Sequence, residues 1–76
     1  MVRAFIMVKA MTGETEALSQ TIGEMEHVTA VNVVAGDFDL IVEAESEAVY
    51  DIINSVAARI RGLEAIQDTK TYVCLE

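Results

Sequence analysis

The same succession of patterns occurs twice in this chain: a strand-like run, an acidic turn and an amphipathic helix. It is seen in "VKAMTGETEAL", which begins at Val8, and again in "VEAESEAVYDI", which begins at Val42, about 34 residues later. A further strand-like run follows each helix. The sequence pattern therefore predicts six elements in the order β-α-β-β-α-β, arranged as two related halves.

The first half begins with a strand over residues 2–10. One of its alternating sets of side chains is wholly apolar, and the other is apolar in the middle and charged at both ends. Both faces of this strand are therefore expected to be covered. Apolar residues at Leu18, Ile22 and Met25 have the spacing of an amphipathic helix. A second strand is predicted over residues 28–35.

The second half begins with a strand over residues 38–45. Ser46 follows as a suitable N-cap for the next helix. The apolar stripe of that helix consists of Val49, Ile52, Ile53, Val56, Ile60 and Leu63. A fourth strand is then predicted over residues 66–75.

This element order predicts a ferredoxin-like α+β sandwich within one domain, residues 1–76. Its four-stranded antiparallel sheet carries both helices on one face. In the third strand the apolar set Phe38, Leu40, Val42 and Ala44 is expected to face the helices, and the set containing Asp39 and Ile41 is expected to face away from them.

The face of the sheet that the helices leave open is expected to be apolar. It should carry Phe5, Met7 and Ile41. Leaving several such side chains in water forfeits several kcal/mol, at about 25 cal/mol per Å² of apolar area. A domain this small has a thin core, and a single cysteine cannot form an internal disulfide. The sequence therefore predicts a two-fold dimer that forms through this face.

The charge of the chain restricts its partners. A net charge of −8 argues against direct binding to nucleic acid and to anionic membranes. No segment approaches the roughly 20 apolar residues of a membrane span, so we expect a cytoplasmic protein. The cysteine and histidine have no metal-site spacing, and no cofactor is predicted.

The bend "GDFD", Gly36 to Asp39, permits two interpretations. As turn chemistry, Gly36 would supply a positive φ and Asp37 would be solvated. As a binding site, the carboxylate of Asp39 would receive the ammonium of an amino acid on the helix-free face, and Gly36 would let the ligand approach bare backbone.

"DTKTYV" places Thr69 and Thr71 on the same side of the last strand. The threonines either reflect β-propensity or offer two hydroxyls to a carboxylate or amide. Together with the aspartates they could hold both ends of a zwitterion. The candidate reactive residues His27, Cys74, Tyr72 and Asp39 have no suitably spaced partner in the sequence, which argues against catalysis.

These residues resemble the effector-binding domain of Lrp/AsnC regulators, also called feast/famine regulatory proteins or RAM domains. The resemblance covers essentially the whole chain through "AFIMVKA", "VTAVNVVAGDFDLIVEAE", the second helix and "IQDTKTYVCL". It implies a ferredoxin-like dimer that assembles into rings, often octamers, and amino-acid effectors in clefts between dimers. The residues that it implies for the effector cleft are Val34, Ala35, Gly36, Asp37, Asp39, Thr69 and Thr71.

The chain departs from the full-length regulators because it has no room for their helix-turn-helix. It is similar to the stand-alone members, so DNA binding is not carried over. We expect a non-catalytic sensing and oligomerisation module that modulates Lrp/AsnC-type transcription regulators, either by itself or together with a full-length regulator. The alternatives are an assembly subunit without an effector and a small dimeric ferredoxin-like enzyme.

Overall fold

The computed structural model describes residues 1–75 and contains four strands and two helices. The elements are β1 (Val2–Ala10), α1 (Thr15–Gly23), β2 (Val28–Val33), β3 (Leu40–Ser46), α2 (residues 49–61) and β4 (Ile66–Val73). The predicted order β-α-β-β-α-β and the predicted ferredoxin-like α+β fold are confirmed. Neither helix of the described residues has the length and apolar composition of a membrane span.

The strands form one antiparallel sheet in the order β2-β3-β1-β4. The central strand β1 pairs Ile6 with Val42 of β3 on one side and with Thr71 of β4 on the other. A register shift after Lys9 interrupts the pairing of β1 with β4. Because neighbouring strands are antiparallel, one end of the sheet carries the end of β1, the start of β4 and the bend that follows β2.

The hydrophobic core lies between the sheet and the two helices. In β1, β3 and both helices, most residues at the expected apolar positions are buried, and Ile6, Ile22, Leu40, Val42 and Ile60 are fully inaccessible. Burying one such side chain contributes about 1.5–3 kcal/mol. The alternation in β3, with Leu40, Val42 and Ala44 inward, agrees with the sequence.

Helix α2 is not α-helical throughout. It begins with Val49–Asp51, continues as a wider π-helical segment over Ile52–Ala57, and ends with Ala58–Arg61. In the π-helical segment the buried residues are Ile52, Val56 and Ala57. The prediction that Val49 and Ile53 belong to the buried stripe is wrong, because these side chains are 47% and 39% exposed. The wider turn brings residues four and five apart, rather than three and four apart, toward the sheet.

Two local predictions about the ends of β3 are also wrong. Phe38 lies before the first residue of β3, and its ring is 6.0 Å from the Nζ of Lys70, whose Cα pairs with Met7 on the open face. Its ring therefore does not join the side chains under the helices. Ser46 is the last residue of β3 rather than the N-cap of α2, which is Ala48. The Ser46 hydroxyl instead donates to Oδ2 of Asp51 at 2.7 Å.

Candidate functional site

The helix-free face of the sheet, which we call the open face, carries a half-buried apolar strip. Phe5, Met7 and Ile41, the residues predicted for the dimer interface, all lie on it. Phe5 is paired with Tyr72 of β4, which is 58% exposed. Within one subunit this strip is therefore only partly shielded from water.

Within the strands, the charged residues around this strip are equal in number for each sign. The basic residues are Arg3, Lys9 and Lys70, and the acidic residues are Glu43, Glu45 and Asp68. Arg3 and Glu43 approach each other, with 3.9 Å between Nη2 and Oε1. The strands of the open face thus carry no net charge, although the whole chain carries −8.

Residues 34–39, which we call the 34–39 loop, connect β2 to β3. The backbone N–H of Val34 donates to the carbonyl oxygen of Asp39 at 2.9 Å, which closes the loop. Gly36 does not supply the positive φ that the turn interpretation required, since among the glycines described only Gly13 has one. A Cβ built on Gly36 has no atom within 4 Å, so the backbone here is open to its surroundings.

The two aspartates of the loop have different surroundings. Asp39 is half-buried, and its Oδ2 accepts the backbone N–H of Ala10 at 2.8 Å. Asp37 is exposed, and no hydrogen bond or ion pair to its carboxylate forms among residues 1–75. Phe38 lies between them, with its ring 6.0 Å from the Nζ of Lys70.

The predicted threonines lie on the other face of the sheet. Thr69 pairs with Val8 and Thr71 pairs with Ile6, so both point to the side that the helices cover. Because β4 is an edge strand, they lie at the border of the helix layer. One subunit therefore does not bring the threonines and the 34–39 loop onto a common face.

Thr69 lines a shallow cleft at this edge. The cleft has a volume of about 240 Å³ and is also lined by Arg61, Ile66, Gln67 and Asp68. Arg61 was not among the residues predicted for the site. A basic residue in the last turn of a helix is common without any ligand, and the proximity of Arg61 to β4 depends on how the helix packs.

The remaining chemically active residues do not form a site. His27 adopts a positive φ of 73° after α1, and its Nε2 is 3.8 Å from Oε1 of Glu26. Cys74 is a free thiol whose backbone N–H donates to the carbonyl oxygen of Arg3. Among the described residues, no three His, Cys, Asp or Glu side chains are grouped so that they could hold a metal ion.

Comparison with families of known proteins gives one match. Residues 3–76 match the family described as the Lrp/AsnC ligand binding domain. No curated protein matches.

Solved structures include small proteins of similar length and the same fold. FFRP-DM1 is 31% identical with a TM-score of 0.91, and the alignment covers 99% of this chain and 100% of that one. TTHA0845 from Thermus thermophilus is 26% identical with a TM-score of 0.93, covering 100% and 95% of the two chains.

The fold also occurs as part of a longer protein. The transcriptional regulator NMB0573 from Neisseria meningitidis, solved as a complex with L-Met, is 15% identical with a TM-score of 0.72. The alignment covers 99% of this chain and 50% of that regulator. At this identity the likeness shows a shared fold only.

Proposed function

Because this chain belongs to the family of Lrp/AsnC ligand-binding domains, a regulatory domain of transcription regulators, we propose that it is an effector-sensing assembly module. It binds an amino acid or a related small metabolite at contacts between subunits, in the cytoplasm, and changes its assembly state. It acts on Lrp/AsnC-type regulation by joining a full-length regulator or by competing with it for subunits.

The observation that carries the proposal is the composition of the open face. Its apolar strip of Phe5, Met7 and Ile41 is only half-buried, and leaving it in water weakens a small domain. The charges around the strip balance, whereas the rest of this acidic chain would repel a second copy. The open face is thus the surface on which two copies approach each other with least repulsion, and we assign the dimer to it.

The effector cleft is proposed at the end of the sheet that carries the 34–39 loop. Exposed apolar residues border this end, since Met11 is 49% exposed and Val33 is 62% exposed. Such residues favour contact with a neighbouring dimer. The proposed lining consists of Val34, Ala35, Gly36, Asp37, Asp39, Thr69 and Thr71.

Contact between dimers also removes a geometric difficulty. Within one subunit the loop and the threonines lie on different faces, so a single chain does not enclose a zwitterion. A cleft between dimers is completed by facing subunits, and a ring such as an octamer repeats that contact. Bound effector then stabilises the assembly that forms its cleft, by linkage.

Isothermal titration calorimetry against the twenty amino acids, with native mass spectra of the same samples, tests this function. We expect at least one amino acid to bind below millimolar concentration and to change the distribution of oligomer masses. Thr71→Val, which keeps the shape and removes the hydroxyl, should weaken that binding about tenfold, the cost of an unsatisfied polar ligand group. Glu16→Gln, an exposed site in the first turn of α1, is the matched control and should bind as the wild type does.

An assembly subunit without an effector is the second candidate. It is favoured by the separation of the threonines from the loop within one chain. Under this alternative no amino acid binds at millimolar concentration, and the oligomer mass does not respond to the mixture. That result would contradict effector sensing and leave the dimer through the open face intact.

A further inference from the structure

We propose that the two aspartates of the 34–39 loop have separate roles. Asp39 is a positioning residue that holds the loop on the end of β1 through the Ala10 amide. Asp37 presents the carboxylate that meets the ammonium of an amino-acid ligand. The role of Asp37 rests on the proposed function, whereas the role of Asp39 does not.

Asp39 is bound to the rest of the subunit through three of its polar groups. Its backbone N–H donates to the carbonyl oxygen of Val8 at 2.9 Å, and its carbonyl oxygen accepts from Val34 at 2.9 Å. Its Oδ2 accepts the backbone N–H of Ala10 at 2.8 Å. Hydrogen bonds to an ionised carboxylate are stronger than those between neutral groups. Asp39 therefore fixes both the first residue of the loop and the last residue of β1.

The Ala10 amide depends on this carboxylate because β1 changes its pairing there. The register between β1 and β4 shifts between Lys9 and Ala10, so that Lys9 pairs with Asp68 and Ala10 with Ile66. Ala10 is buried at 6% exposure, and an unpaired N–H at such a position is costly. The side chain of Asp39, which is distant in sequence, satisfies this donor at the irregularity.

Asp37 has the opposite character. It lies at the outer part of the loop, its side chain is exposed, and the described part of the chain provides no hydrogen bond to its carboxylate. Gly36 beside it leaves open space around the backbone. An ammonium group approaching the loop from solvent would thus meet the exposed carboxylate of Asp37 first, whereas the carboxylate of Asp39 is half-buried and holds the Ala10 amide through Oδ2.

Amide hydrogen exchange of Ala10, followed by NMR without ligand, tests the positioning role. In the wild type the Ala10 amide should be protected. Asp39→Ala should speed its exchange about tenfold or more, since a hydrogen bond to a charged group is lost. Asp39→Asn should retain most of the protection, because the amide oxygen of asparagine accepts the same bond. Glu16→Gln is the charge-matched control and should leave Ala10 unchanged.

Calorimetry with the amino acid that the wild type binds tests the separation of roles. Asp37→Asn should weaken binding about tenfold or more by removing the charge that faces the ammonium. Asp39→Asn should weaken it only a few-fold, whereas Asp39→Ala should weaken it as strongly as Asp37→Asn does. Rescue by asparagine at position 39, but not at position 37, is the signature of a positioning residue.

Two results would overturn the proposal. An unprotected Ala10 amide in the wild type, or equal exchange in Asp39→Asn and Asp39→Ala, would remove the positioning role, and the wild-type and asparagine measurements suffice if the alanine variant fails to fold. Loss of affinity in Asp39→Asn with Ala10 still protected would make Asp39 a direct ligand contact. If no amino acid binds at all, the proposed function fails, while the exchange measurements still decide the role of Asp39.

Discussion

At the scale of single residues, the two glycines at bends adopt different backbone conformations. Gly13 adopts the left-handed conformation, with φ +84°, but Gly36 does not. The sequence suggested a tight hairpin at Gly36 because glycine before aspartate is typical of such turns. The observed loop is longer and is closed by Val34 and Asp39, an arrangement that local turn chemistry does not encode.

This difference predicts opposite effects of alanine at the two glycines. Gly13→Ala should lower the free energy of unfolding by about 1–2 kcal/mol, because a side chain is strained at positive φ. Gly36→Ala should leave it unchanged or raise it by about 0.4–1 kcal/mol, because alanine restricts the unfolded chain and meets no atom within 4 Å. Urea unfolding of both variants at one protein concentration measures this. A Gly36→Ala variant as unstable as Gly13→Ala would contradict the loop geometry.

The two aspartates of the candidate site also have surroundings that the sequence did not predict. The sequence located Asp37 and Asp39 at the bend, and the structure places both in the 34–39 loop. Which of them is engaged within the subunit could not be predicted, because the partner of Asp39 is a backbone group of β1 at a register shift.

At the scale of elements, the strands and the second helix were predicted, but the π-helical segment within that helix was not. β1 begins and ends as predicted, and β2, β3 and β4 differ by a few residues at one or both ends. Period-two alternation marks strands well. The apolar stripe of α2 was interpreted with α-helical spacing, and the π-helical segment Ile52–Ala57 changes which residues face the sheet.

Neighbouring isoleucines in this helix provide a test. Ile52→Ala should cost about 2–5 kcal/mol of unfolding free energy, because a fully buried side chain is truncated. Ile53→Ala should cost less than about 1 kcal/mol, because Ile53 is 39% exposed. Thermal and urea unfolding of the two variants, compared at equal concentration, measure the difference. Equal losses would indicate a regular α-helix in which both residues are buried.

The faces of the strands also explain why the threonines were hard to interpret. Sequence alternation puts Thr69 and Thr71 on one side of β4, but it does not say which side meets the helices. Only the register with Ile6 and Val8 shows that they share the helix-covered face. Sequence reasoning could therefore propose a set of residues for the site, but it could not give their arrangement.

At the scale of the whole molecule, the distribution of charge and apolar surface points to self-association. The ferredoxin-like fold covers one face of the sheet and leaves the strip of Phe5, Met7 and Ile41 half-buried on the other, where we propose that a second copy binds. The 53% hydrophobic content of so short a chain suggests oligomerisation, but the face that would be covered follows only from the alternation of the strands. The balance of charges on the open face could be recognised only from the strand register.

A charge placed in the apolar strip should separate the subunits. Ile41→Asp should raise the dimer dissociation constant by about 100-fold or more, since each subunit would bury an unpaired carboxylate beside Glu43. Tyr50→Asp adds the same charge at a side chain on α2 that is 72% exposed, and it should leave the dissociation constant nearly unchanged. Sedimentation equilibrium of both variants measures it, and equal weakening would point to general repulsion rather than to the open face.

The mass of the wild-type protein in dilute buffer, measured by sedimentation equilibrium from micromolar concentration downward, tests self-association through the open face most directly. We expect a dimer, or a multiple of dimers, because the apolar strip on the open face requires a second subunit. A stable, folded monomer across that range would contradict this expectation, since neither the dimer nor a cleft between dimers would then exist.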